Sequence, residues 1–213
     1  MLLEGERREI VAAAQRLRPD GLVAGTAGNL SIRREDLVAV TPSGVEYEDL
    51  TPETIGVHQL DGTPVEASLA PTSELPMHLA VYERTGLEAI VHTHSPAATA
   101  VTLLVDELPP IHYYVALFGG TTIRVAPYAR FGTPELADGV AAALHERKGA
   151  LLKHHGALTA AATLDEAYTL ALHLEWMCDV YLRAAAAGEP AVLPVDDLEE
   201  ALSGLTSYGQ PAG

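Results

Sequence analysis

Positive charge is scarce in this chain: 13 Lys and Arg stand against 29 Asp and Glu among 213 residues, for a formal net charge of −16. Nucleic acid phosphates and anionic lipid headgroups are bound by clustered cations that displace counterions, so no nucleic-acid or membrane partner is expected. Cysteine is nearly absent. Cys178 alone cannot form an intrachain disulfide, which fits a reducing compartment. No apolar run approaches the roughly 20 residues that span a bilayer. The opening MLLEGERREIVAAAQRL carries Glu and Arg where a secretory signal needs unbroken apolar residues, and a cytoplasmic location is expected. Also missing are G-x-G-x-x-G, G-x-x-x-x-G-K-[ST] and G-x-S-x-G, so neither dinucleotide nor nucleoside triphosphate binding, nor a serine-hydrolase elbow, is indicated.

What is present supports one core. With 48% hydrophobic and 20% charged residues, residues 1–213 read as a single domain, with a tail expected to be mobile from about residue 203. Ile10, Val11, Ala14 and Leu17 form one stripe of a helix over 6–18. Ser73 is expected to cap a helix over 74–85, and Ser95-Pro96 to start another. Thr133-Pro134 opens a helix that Gly149 ends. Thr163 and Glu166 make a capping box for a helix running to Ala187, stopped by Gly188 and Pro190. β-branched runs predict strands at 29–33, 37–41, 54–60, 89–94, 121–126 and 149–154. Tight turns between some strands and helices between others give an α/β layered domain, one sheet flanked by helices.

Nine histidines are present, and three features carry chemistry. His92-Thr-His94 ends an apolar run; in a strand, positions i and i+2 share a face, the geometry for two imidazoles on one metal ion. The blander alternative is a pair of half-buried histidines bonded to backbone. In LLKHHG, over 151–156, a strand or turn cannot aim both His154 and His155 at one ion, so one of the two is the candidate. Glu74, at a helix start, is either a dipole partner or a carboxylate ligand. Three imidazoles and one glutamate would satisfy zinc while leaving room for water or substrate. Rival His-x-His families fit badly. The next glutamate after His94 is Glu107, too far for a cupin. Ser95-Pro96 stands where a metallo-β-lactamase type needs Asp and His. An amidohydrolase barrel needs at least about 200 residues and usually about 250 or more, with its His-x-His near the first strand.

Three glycine- and hydroxyl-rich loops accompany them: GTAGNLS at 25–31, TPSG at 41–44 and PTSE at 71–74. Backbone N–H groups, hydroxyls and a helix start can hold a phosphate without Lys or Arg; ordinary turns are the alternative. His58, His78, His112, His145 and His173 lack metal spacing and read as packing or surface residues. Trp176 and Met177 read as core, and DDLEE at 196–200 as a solvated helix start.

GTAGNLS, TPSG, PTSE, VHTH, PIHYY, APYARFGT and LLKHHG follow one another over nearly the whole chain in an order and spacing that resembles the class II aldolase/adducin family. The resemblance implies a three-layer fold around a largely antiparallel sheet. It implies zinc, or another divalent transition metal, on Glu74, His92, His94 and His155. It implies a phosphate site at Gly28, Asn29, Ser43, Gly44, Thr72 and Ser73, and pocket contacts from Phe131 and the tail residue Tyr208. Glu74 is implied to leave the metal and act as base, and Tyr113 to reach the site from a neighbouring subunit of a homotetramer. The implied reaction is reversible cleavage of a small phosphorylated sugar, a ketose 1-phosphate, into dihydroxyacetone phosphate and a short aldehyde. Sugar-phosphate 4-epimerases and a methylthioribulose-1-phosphate dehydratase share the scaffold. The epimerase branch shows an aromatic after the histidine-glycine motif and a late histidine, whereas HHGALTAAAT and residues 174–213 have neither. Adducin relatives lack metal chemistry, and the four ligand candidates argue against that reading.

Overall fold

The computed structural model describes residues 1–206. The elements run α1 (Glu4–Leu17), β1 (Asn29–Arg34), β2 (Leu37–Val40), β3 (Gly56–Gln59), β4 (Pro64–Glu66), α2 (Leu75–Thr85), β5 (Ala89–Thr93), α3 (Pro96–Val101), β6 (Glu107–Leu108), β7 (Ile123–Ala126), α4 (Pro134–Ala143), β8 (Gly149–Leu152), β9 (Gly156–Ala161), α5 (Leu164–Ala187) and α6 (Val195–Thr206), with short 3₁₀ segments at Tyr47–Asp49 and Tyr113–Phe118. Residues 203–206 close α6, and the rest of the expected tail lies outside the described residues.

The nine strands form one sheet in the order β4-β3-β2-β1-β5-β9-β8-β7-β6. Every neighbouring pair is antiparallel except β7 with β8. Alternation along the strands sends successive side chains to opposite faces. Leu30, Ile32, Ala39, Val91, Leu151 and Ala157 join a core with α1, α3 and α5. Val38, Val40, Ile90, Leu152, Leu158 and Ala160 join a second core with α2 and α4. The expected three-layer α/β fold is present.

Several expectations need correction. Ser73 does not cap α2: Glu74 occupies that position, and its side chain makes no cap bond. The helix opened by Thr133 stops at Ala143, and the loop before Gly149 follows it. Thr163 Oγ1 accepts from the Glu166 amide, but the Glu166 carboxylate turns to Lys148 Nζ at 2.6 Å, so only half of the capping box forms. The strand read over 149–154 ends at Leu152. β4, β6 and β9 carry no clear strand signal. β9 is GALTAA, small residues of low β-propensity. It is nevertheless buried throughout, because both helical layers cover it and its neighbours crowd it. A Cβ on Gly156 would meet the Thr93 carbonyl oxygen at 2.1 Å. Met177 is core, whereas Trp176 falls off the buried stripe of α5 and is 45% exposed.

Candidate metal centre

The candidate residues meet at one end of the sheet, where β1 and β9 begin and β2, β5, β7 and β8 end. His92, at the end of β5, lies in register between Asn29 of β1 and Leu158 of β9. Its side chain leaves on the α2 face, toward Glu74. His94 follows just past the strand. His155 sits in the turn between β8 and β9, where His154 adopts φ 56°. That left-handed residue, uncommon outside glycine, lets the chain reverse, so that the two adjacent histidines part company. His155 joins the cluster. His154 faces the Tyr128 ring instead, 6.0 Å between centroids.

Glu74, His92, His94 and His155 each place a ligand atom within 4.8 Å of the others. His94 Nε2 is 3.0 Å from His92 Nε2 and 3.1 Å from His155 Nε2. Glu74 Oε2 lies 3.0 Å from His92 Nε2, and Oε1 lies 3.3 Å from His155 Nε2. Oε1 is buried and makes no hydrogen bond. Burial, then the neighbouring His92, pushes His94 down to about 3; the same causes push His155 down to about 4. Burial alone would raise the Glu74 carboxyl, but His92, the Asn29 amide and His155 outweigh it and hold Glu74 well below the usual carboxylate range. Three imidazoles converging with a carboxylate are the donor set of a divalent metal. The orphaned Oε1 and the close approach of the nitrogens fit such an ion.

Above the cluster opens a cavity of about 480 Å³, lined by the loops of Thr26–Asn29, Pro42–Gly44 and Thr72–Glu74, with Tyr128, Phe131 and His154 opposite. Backbone bonds tie the loops together: Thr72 donates to the Thr41 carbonyl at 3.0 Å and Ser43 to the Ala70 carbonyl at 3.0 Å. Gly28, at φ 86°, packs so closely that a Cβ there would meet the His92 carbonyl oxygen at 2.7 Å. Tyr47 fixes the first loop from behind, donating to the Ala27 carbonyl at 2.6 Å. Among the described residues, the Thr26, Ser43 and Ser73 hydroxyls and the Gly28, Gly44 and Ser73 amides have no hydrogen-bond partner. None of the lining residues is Lys or Arg. Such unengaged donors suit an anion whose charge need not be matched by a cationic side chain.

Gly28, Asn29, Ser43, Gly44, Thr72, Ser73 and Phe131 thus border one cavity with Glu74, His94 and His155, while His92 lies wholly buried behind them. Asn29 differs from expectation in detail: its Nδ2 hydrogens are taken by Thr72 Oγ1 at 3.0 Å and Glu74 Oε2 at 2.9 Å. Tyr113 does not line the cavity. Its ring stands 4.2 Å from His112 on the surface, in a group with Tyr114 and Trp176. Tyr208 lies outside the described residues. Sequence reasoning passed over Thr26 and Tyr128, although both sit in the quoted motifs, and treated His78 as packing. His78 is wholly buried and bonded to Asn29.

The chain is 41% identical to the 5-deoxy-D-ribulose 1-phosphate aldolase of Bacillus thuringiensis serovar kurstaki, over 99% of this chain and 100% of that one. It is 40% identical to an L-fuculose phosphate aldolase of Escherichia coli O6:H1, over 95% and 94% of the two chains. A solved L-fuculose 1-phosphate aldolase superposes with a TM-score of 0.92 at 35% identity, covering 97% of this chain and 98% of that one. The family described as Class II Aldolase and Adducin N-terminal domain matches residues 8–182, and this chain belongs to it.

Proposed function

We propose that this protein is a metal-dependent aldehyde-lyase that reversibly cleaves a ketose 1-phosphate into dihydroxyacetone phosphate and a short aldehyde. One observation carries the reading: a three-histidine, one-carboxylate cluster presents Glu74, His94 and His155 to a cavity whose rim is built from unengaged hydroxyl and amide donors. The two relatives named above act on sugars ending in a methyl group, which selects 5-deoxy-D-ribulose 1-phosphate and L-fuculose 1-phosphate as candidate substrates. Their aldehyde halves would be acetaldehyde and L-lactaldehyde.

Glu74, His92, His94 and His155 would hold the ion, which we take to be zinc. When bound, it supplies Lewis-acid stabilisation of the negative charge that develops on the substrate oxygens. The donors of Thr26, Gly28, Ser43, Gly44 and Ser73 anchor the phosphate and use binding energy remote from the reacting carbon for orientation. In the condensing direction, Glu74 takes the proton from the carbon beside the ketone, and the electron pair passes into an enediolate. That carbon attacks the aldehyde carbonyl. Tyr113 of a neighbouring copy gives its hydroxyl proton to the aldehyde oxygen as the new bond forms. Cleavage runs the same steps backwards. A homotetramer, with Phe131 and Tyr208 around the aldehyde, completes this reading. Its support is the family resemblance, together with the outward position of Tyr113 and the half-exposed Trp176 beside it.

A panel of ketose 1-phosphates, assayed for release of dihydroxyacetone phosphate with and without a chelator, tests the proposal. Chelator-sensitive cleavage of at least one deoxy-ketose 1-phosphate is expected. Cleavage of none of them, or cleavage indifferent to the chelator, overturns it.

A further inference from the structure

The metal cluster has a buried polar chain behind it that the reaction above does not use. Glu74, His78 and Tyr82 recur every four residues at the start and along one face of α2, while Asn29 and Ser31 share one face of β1. The helical and extended periods coincide there, and all five side chains are buried. Tyr82 Oη lies 2.6 Å from Ser31 Oγ, and Ser31 Oγ lies 2.6 Å from His78 Nδ1. His78 Nε2 lies 2.5 Å from Asn29 Oδ1. Asn29 Nδ2 then reaches Glu74 Oε2 at 2.9 Å.

Chemistry gives this chain one direction. An ionised carboxylate only accepts, so the Asn29 atom beside Glu74 is the amide nitrogen and the other is its oxygen. That oxygen needs a donor, so the His78 proton sits on Nε2 and Nδ1 accepts from the Ser31 hydroxyl. Ser31 in turn accepts from Tyr82. With His78 removed, Asn29 Oδ1 would be a buried acceptor without a donor, and the amide would lose the contact that fixes the plane in which Nδ2 meets Glu74 Oε2.

We propose that His78 is a positioning residue: by donating to Asn29 Oδ1 it locks the amide so that Glu74 Oε2 is held beside His92 Nε2 and Oε1, which makes no hydrogen bond, is left facing His155. The inference rests on the aldolase reading, since it concerns the residue read there as the base. It goes further in assigning part of the base's orientation to a side chain that touches neither substrate nor metal. The sequence signature is Glu-x₃-His at the head of a helix facing Asn-x-Ser on a strand.

The test follows exchange of a carbon-bound hydrogen of dihydroxyacetone phosphate with solvent deuterium, which needs no aldehyde. His78→Leu is expected to slow exchange at saturation by about 10-fold or more, within the range of a misplaced general base. The KM for dihydroxyacetone phosphate and the bound Zn²⁺ per chain should stay within twofold of wild type. His78→Gln, whose amide nitrogen reaches the place of Nε2, should recover most of the loss. Ser31→Ala, a smaller change should His78→Leu fail to fold, should also slow exchange without moving KM. Exchange undiminished in the folded variants overturns the inference alone. So does a loss in His78→Gln as large as in His78→Leu, or a loss that follows Zn²⁺ content. No exchange by wild-type protein sinks the aldolase reading, and this inference with it.

Discussion

The ring of His92 donates from Nδ1 to the carbonyl oxygen of Ala157, 2.9 Å away across the β5–β9 pair. That bond makes Nδ1 the donor on the sheet side of the ring and turns Nε2 toward Glu74 and His94. A backbone partner that fixes the tautomer of a ligand histidine is a recurrent feature of metal sites. Here the partner belongs to β9, whose start also delivers His155. One strand pairing therefore orients one imidazole and brings in another.

Replacing Glu74 with Gln keeps the side chain's size and its hydrogen bonding to Asn29 within reach, but removes the charge and the basic oxygen. Turnover should fall by about 10³-fold or more, the upper part of what a general base supplies. Competition by inorganic phosphate should be unchanged, because the rim donors are untouched. Steady-state cleavage and phosphate inhibition constants measure both, and a variant of near-normal activity would remove Glu74 from the role of base.

His155→Ala takes away one of the three nitrogens and should leave purified protein with less than a tenth of the wild-type divalent metal, measured by elemental analysis. His154→Ala should keep its metal, since His154 is turned toward Tyr128. Its effect should fall on substrate affinity, because its ring lines the cavity. The reverse pattern of metal contents would mean that the left-handed residue at 154 does not separate the pair in the way described.

Much of the site was legible before the fold was known, because its spacing is short-range. His92 and His94 announce themselves by strand period, and the loop motifs by their glycines and hydroxyls. The choice of His155 over His154 rested on family resemblance and depends physically on one backbone angle that no propensity rule predicts. β9 was invisible because its Gly, Ala and Thr residues are set by crowding from two layers, not by strand preference. The chain from Tyr82 to Glu74 was hidden for a different reason. Ser31 and His78 are 47 positions apart, and only the packing of α2 on β1 reveals them as partners. Trp176 misled because aromatic bulk suggests core, whereas the helical phase of α5 turns it outward.

Acid should destabilise the metal-free protein well above the pH at which carboxylates titrate. Burial pushes His78 from its ordinary 6.5 down to about 3. The unfolded chain takes up a proton there near pH 6.5, and the folded chain refuses it until far lower. Its contribution to stability is therefore fully present above about pH 6.5 and is lost as the pH falls toward 3. The slope is about 1.4 kcal/mol per pH unit from this group alone. His94 and His155, also lowered by burial, act in the same direction. Urea midpoints of chelator-treated protein at pH 7.5, 6 and 5 should decline steadily, and the decline should be shallower in His78→Leu. A flat profile would contradict the buried, neutral state of this histidine.

Gly156 sits where β9 comes closest to the end of β5, and it is there for space. A methyl group would stand 2.1 Å from the Thr93 carbonyl oxygen and 3.2 Å from the His94 Cα, both backbone atoms that cannot step aside alone. Gly156→Ala must push β9 away from β5 and strain the pairing of Thr93 with Ala157. Overpacking of this kind costs about 1–3 kcal/mol, and thermal unfolding should shift downward accordingly. The larger consequence is local. Ala157 carries the carbonyl that orients His92, and His155 precedes the glycine, so both should be displaced together. Zinc affinity measured by competition with a chromogenic chelator should therefore drop by more than the loss of global stability accounts for. Gly204→Ala, in a helix with open space around that position, should leave zinc affinity unchanged. Equal zinc affinity in Gly156→Ala and wild type would show that the His92 and His155 rings are held independently of the β5–β9 spacing.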